Sequence, residues 1–120
     1  MSNSMTVLEK SKTFAIHIIQ LSQYLQKRRE YVLSKQILRS GTSIGANVTE
    51  SQCAQSRNDF FAKLYIAYKE AAETDYWLDL LNAGKYLDEE CYASLKKETR
   101  EIICLLAAIT RKSKITTSGQ

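Results

Sequence analysis

The stretch Arg39-Ser40-Gly41-Thr42-Ser43-Ile44-Gly45-Ala46-Asn47-Val48-Thr49-Glu50 decides the fold. With Ile37 before it, Gly41, Ile44 and Val48 make an apolar stripe at helical spacing, so the segment reads as the second half of a helix. It is poor in bulky residues. Gly41 and Gly45, four apart, lie one above the other on a single face. A glycine inside a helix costs roughly 1 kcal/mol relative to alanine, and two on one face point to a neighbouring helix packed against bare backbone. Beside them Arg39, Ser43, Asn47 and Glu50 make a polar stripe. Two readings of that stripe stay open: an interhelical hydrogen-bond network that favours one register, and a solvated face. Asn47-Val48-Thr49 has the form of a glycosylation sequon. The N-terminal residues show no basic region followed by an apolar one, so no signal peptide is expected and the sequon is read as coincidence.

Working outward, the 120 residues suffice for one domain with a core of its own. With no proline and four glycines, the chain is expected to be all-α. Helix 1 is expected over about 6–28, opened by the capping box Thr6-x-x-Glu9 and carrying the stripe Val7, Ser11, Phe14, Ile18, Leu21 and Leu25. Helix 2 spans about 32–52. Ser56, with Asp59 three residues on, caps a long helix 3 over 57–83. Gly84 is expected as its C′ residue, and helix 4 follows over 88–113, with a frayed tail at 116–120. Four amphipathic helices with short links form an antiparallel up-down-up-down four-helix bundle.

Helix 3 has more apolar surface than one core needs. Phe60, Leu64, Ala67, Ala71, Thr74, Leu78 and Leu81 make its seam; Phe61, Tyr65, Tyr68 and Tyr76, with Trp77 nearby, make a second, aromatic face. That face sits either under a neighbouring helix of the same chain or against another subunit, and its five aromatics are the candidate oligomer interface.

The formal charge is +4, with a pI near 9.0. At the end holding the helix 1–2 and 3–4 corners, Lys27, Arg28, Arg29 and Lys85 are nearly cancelled by Glu30, Asp88, Glu89 and Glu90. The other end gathers Lys10, Lys12, Arg57, Arg111, Lys112 and Lys114 against Glu9 and Asp59. These six cations are the candidate nucleic-acid contacts, the competing reading being helix-dipole compensation and solubility.

Catalytic chemistry is sparse. His17 is the only histidine, and the sequence places no carboxylate or nucleophile near it. Glu70 and Glu73 make a weak acid/base pair. Cys53, Cys91 and Cys104 form no zinc pattern and read as buried free thiols in a reducing cytoplasm. No phosphate-binding glycine loop and no membrane-spanning run occur. A non-enzymatic protein without cofactor or metal is expected.

The run Leu33 to Glu50, continued by Ala54-Gln55-Ser56-Arg57-Asn58-Asp59-Phe60 and by Ile66 to Leu78, resembles the signature of the four-helix-bundle family named for proteins encoded in intervening sequences of bacterial 23S ribosomal RNA genes. The accessory bundle proteins of diversity-generating retroelements look like distant relatives. The resemblance implies a cytoplasmic bacterial bundle, commonly a ring-shaped homopentamer, whose genetic setting points to nucleic acid or the ribosome. Carried over position by position, the signature residues are Arg39, Ser43, Asn47, Glu50 and Glu73, with a structural role. Ser51 stands where many members have glycine, and Lys27-Arg28-Arg29 where many have proline. The expected partners are further copies of the chain and RNA or DNA; the alternative is a protein-interaction scaffold built on the aromatic face of helix 3.

Overall fold

Four proline-free amphipathic segments, each too apolar on one side to stand alone in water, bury those sides against one another. The computed structural model describes the backbone of residues 3–118 and the side chains of residues 6–112. Its helices are α1 (Asn3–Lys27), α2 (Val32–Ser51), α3 (Arg57–Ala83) and α4 (Glu89–Ser118). Each packs on two neighbours in the order α1–α2–α3–α4–α1, with no diagonal packing among the described residues, in a rod of 52 × 24 × 22 Å. Pairs across the seams run in opposite directions: Ser22 meets Ser34 while Gly41 backs onto Ile18, and Glu50 meets Lys63 while Ser40 meets Thr74. Lys96 and Arg100 of α4 both reach Asp75 of α3. The bundle is therefore antiparallel and up-down-up-down.

The core is the set of stripes read from the sequence: Phe14, Ile18 and Leu25 of α1, Ile37, Ile44 and Val48 of α2, Leu64, Leu78 and Leu81 of α3, and Ile102 and Leu106 of α4. Small residues let α2 approach its neighbours. A Cβ built on Gly41 meets Ile18 Cγ2 at 2.8 Å, whereas one on Gly45 meets nothing nearer than Ser11 Oγ at 3.4 Å. Both glycines lie against α1: at Gly45 a Cβ would rest on the Ser11 backbone at ordinary contact distance, and only at Gly41 would it clash. Buried hydroxyls cross the seams beside it: Ser22 and Ser34 share a bond of 2.8 Å, and Thr74 donates to Ser40 Oγ at 2.8 Å. Each also bonds a backbone carbonyl or is bonded by a group that does, so no hydroxyl of these pairs is left without a partner.

Several boundaries differ from expectation. No proline or glycine precedes Thr6, and α1 runs back to Asn3, so Thr6 lies inside the helix rather than at its cap. At the other end α4 continues through Thr116 to Ser118, where a frayed tail is expected, because no breaker stands before Gly119. Ser56 caps α3, its side chain accepting from Asp59 N at 3.0 Å, and Asp88 caps α4, accepting from Cys91 N at 2.7 Å.

The turns after α1 and α3 share one geometry. Arg29 N–H donates to the Gln26 carbonyl and Glu30 N–H to the Leu25 carbonyl; Lys85 N–H donates to Asn82 and Tyr86 N–H to Leu81. This is the Schellman motif, with Arg29 (φ 64°) and Lys85 (φ 65°) in the left-handed region usually taken by glycine. Gly84 is thus the C-cap, at φ −79°, and Lys85, one residue later than expected, is the C′ residue. The α2–α3 link needs no such residue. Gln52, Cys53 and Ala54 close tight i→i−3 bonds onto Thr49, Glu50 and Ser51, and buried Ser51 turns its hydroxyl onto the Val48 carbonyl at 2.6 Å. Serine serves there without backbone strain.

Candidate nucleic-acid interface

The polar stripe of α2 divides its work. Arg39 crosses to α3, donating from Nη1 to Glu70 at 3.0 Å and from Nη2 to Glu73. Glu73 also accepts from Trp77 Nε1 at 2.9 Å. The hydrogen bond to Glu73, followed by the field of Glu70, holds the Arg39 guanidinium above its ordinary pKa despite partial desolvation. Glu50 at the far end reaches Lys63 of α3 at 3.4 Å. Between them Ser43 donates to the Arg39 carbonyl and Asn47 to the Ser43 carbonyl, inside their own helix. Arg39, Glu73 and Glu50 therefore tie α2 to α3, while Ser43 and Asn47 bond carbonyls of α2 itself. Glu70 and Glu73 are occupied by this clamp.

On the opposite side of α3 a second ionic cluster faces α4. Lys96 lies 2.7 Å from Asp75 Oδ1 and 2.9 Å from Asp79, and Tyr92 donates its hydroxyl to Asp79 at 2.7 Å. Asp75 Oδ1, cut off from solvent, has no donor in hydrogen-bond geometry and is balanced by the Lys96 charge. The Tyr92 hydrogen bond, then that of Lys96, pulls the Asp79 pKa down. Burial opposes the Lys96 charge, but the two carboxylates outweigh it and the net shift is upward.

His17 has a partner that the sequence could not place. Its Nδ1 lies 2.7 and 3.0 Å from the two carboxylate oxygens of Glu98 on α4. His17 also lines an open cavity of about 430 Å³ with Tyr24, Tyr86 and Cys91. Of the three cysteines expected to be buried, Cys53 and Cys104 are exposed and Cys91 is partly buried; burial, then the charge of Asp88, pushes the Cys91 thiol up, which disfavours the nucleophilic thiolate. Among the described residues no cluster of three or more His, Cys, Asp or Glu side chains is placed to hold a metal ion.

The six candidate cations separate. Lys10 is bound to Glu101 at 3.2 Å, while Lys12 stands beside a cleft lined by Leu8, Ala15 and Gly45. The Lys114 side chain lies outside the described residues. Lys12, Arg57 and Arg111 make no ion pair among the described residues. Lys112 is exposed on the same last turns of α4.

The aromatic stripe separates too. Trp77 belongs to the Arg39–Glu73 clamp, and Tyr76 packs on it with ring centroids 5.1 Å apart. Phe61, Tyr65 and Tyr68 line an open groove of about 620 Å³ between α3 and α4, with Asn58, Ala62, Ala107, Thr110 and Arg111. Tyr65 and Tyr68 are stacked, centroids 6.0 Å apart and planes 16° from parallel. The Arg57 guanidinium lies 5.7 Å from the Phe61 ring centre and the Lys69 ammonium 5.4 Å from that of Tyr65. Members of two sets picked for different reasons, Arg57 and Arg111 of the cations and Phe61, Tyr65 and Tyr68 of the aromatics, thus meet at one groove. Lys69 was not among the candidates, though its spacing of four from Tyr65 was legible. Asn58 and the α4 wall carried no signal in the sequence.

The family model described as 23S rRNA-intervening sequence protein matches residues 3–108. The chain belongs to that family. It is also similar to a solved structure, the 1.70 Å crystal structure of a protein of unknown function from the S23 ribosomal protein family of Bacteroides thetaiotaomicron VPI-5482. The two are 49% identical with a TM-score of 0.89, over 92% of this chain and 99% of that one. No curated protein matches the chain. The matched residues include the α2–α3 clamp. Among the described residues no helix is long and apolar enough to cross a membrane.

Proposed function

We propose that this member of the 23S rRNA-intervening sequence protein family is a non-enzymatic, cytoplasmic bundle that associates with nucleic acid, or with a ribonucleoprotein, through its positive end. The observation that carries the reading is the position of Arg57 and Arg111 beside the α3–α4 groove, with no carboxylate among the residues that line it. Cations that make no ion pair among the described residues remain available to phosphate oxygens. A catalytic role finds little support: Glu70 and Glu73 are held by Arg39, and the Cys91 thiol is kept protonated. Assembly into a ring of five, as the family resemblance implies, would repeat the positive end around an axis and multiply the phosphates it can engage. Neutralising Arg111, Lys112 and Lys114 together is expected to weaken binding to structured RNA. It should also flatten the dependence of log affinity on log salt by about 0.7–0.9 for each phosphate that is no longer neutralised. Unchanged affinity and slope in that variant would overturn the assignment to this end.

A second reading is favoured by the exposed apolar side of α3, where Tyr76 is 55% and Ile66 38% exposed. On it the protein is an interaction scaffold. Tyr76→Ala would then lower the subunit mass seen by light scattering, and an unchanged mass would count against it.

A further inference from the structure

Resting on the nucleic-acid reading above, we infer that the α3–α4 groove takes the unpaired bases of a single strand, with Tyr65 and Phe61 as stacking surfaces and Arg57, Lys69 and Arg111 on the phosphates.

Three observations lead there. First, the groove offers π-faces rather than a smooth apolar trough. Tyr65 is 49% exposed, stacked beside the partly buried Tyr68 at the groove wall. Aromatic faces stack any base, which makes such sites tolerant of sequence. Second, the cations are placed around these rings. Arg57 lies against Phe61, Lys69 against Tyr65, and Arg111 is part of the α4 wall. A strand whose bases lie on the rings brings its phosphates to the same cations. Third, hydrogen-bonding capacity is unspent. The Asn58 amide and the Tyr68 hydroxyl make no hydrogen bond among the described residues, while Thr110 is satisfied by the carbonyls of Leu106 and Ala107.

Charge decides between occupants. The core of a subunit interface is depleted in charge, whereas Arg57, Lys69 and Arg111 stand around the rings of this groove. A single strand brings the opposite charge. A duplex brings it too, but its base faces are stacked inside the helix and cannot reach Tyr65.

The test compares a labelled single strand of about 12 nucleotides, within the site sizes known for such grooves, with the duplex of the same sequence. Anisotropy is read with the full-length protein, in RNA and DNA arms that report which sugar is preferred. The expected result is tighter binding of the single strand. Tyr65→Ala should weaken that binding by at least about fivefold while leaving duplex binding unchanged, and Tyr65→Phe, which keeps the ring, should bind like the wild type. Equal affinity for strand and duplex, with no effect of Tyr65→Ala, would overturn the groove assignment and leave the nucleic-acid reading standing. No binding of either form at low salt would overturn both. A fall in subunit mass on Tyr65→Ala, measured by light scattering on the same samples, would make the groove an interface between copies and overturn the inference.

Discussion

Gly41 and Gly45 look alike in sequence and differ in what they do. At Gly41 an added methyl meets Ile18, a β-branched, fully buried side chain with no room to give way. At Gly45 the space above the backbone accepts a Cβ at ordinary contact distance. Gly41→Ala is therefore expected to destabilise the fold by about 1–3 kcal/mol through overpacking. Gly45→Ala should be neutral or stabilising by up to about 1 kcal/mol through helix propensity. Urea denaturation midpoints of the two variants check this, and equal effects would contradict the account. The sequence marked both positions as a site of close packing. It could not show which glycine faces a stiff side chain, because that depends on the register of α1 against α2. The pairing of His17 with Glu98, 81 residues away, was hidden for the same reason.

At the scale of the element, periodicity did most of the work. The apolar stripes of all four helices and the Ser56 cap follow from spacing and residue type alone. The ends themselves were less legible. A glycine at 84 drew the C′ position to itself, but the hydrogen bonds of the turn put it at Lys85, and the next turn returns Leu87 to the core. Two long basic residues at positive φ, Arg29 and Lys85, stand at the same end of the rod. Left-handed backbone costs a non-glycine residue about 1–2 kcal/mol, partly offset by the greater chain entropy glycine loses on folding. Arg29→Gly and Lys85→Gly are each expected to raise stability by somewhat under about 1 kcal/mol, seen as a rise of a few degrees in Tm. A loss of stability in both would mean that the side chains contribute more than the backbone conformation costs. The Arg28 guanidinium, which donates to the Tyr86 carbonyl at 3.2 Å and lies over the Tyr86 ring, already ties these two turns together.

At the scale of the whole molecule, the bundle and its family were legible because the signature run on α2 serves the fold itself. It supplies the close approach to α1 and the ion pairs to α3. The proposed site was legible only in halves. The cations were read from the helix ends and the aromatics from the spare face of α3, and nothing in a linear sequence says that two such sets share a groove. That depends on how far α4 is turned about its own axis, which the Asp75–Lys96–Asp79 cluster fixes. The measurement that tests the central claim most directly is the affinity of the wild-type protein for labelled structured RNA across a salt titration, with subunit mass measured on the same sample. The account predicts binding by an oligomer, with log affinity falling linearly against log salt at a slope that reports several neutralised phosphates. A well-formed oligomer that fails to bind at low salt, or binds with no dependence on salt, would contradict it.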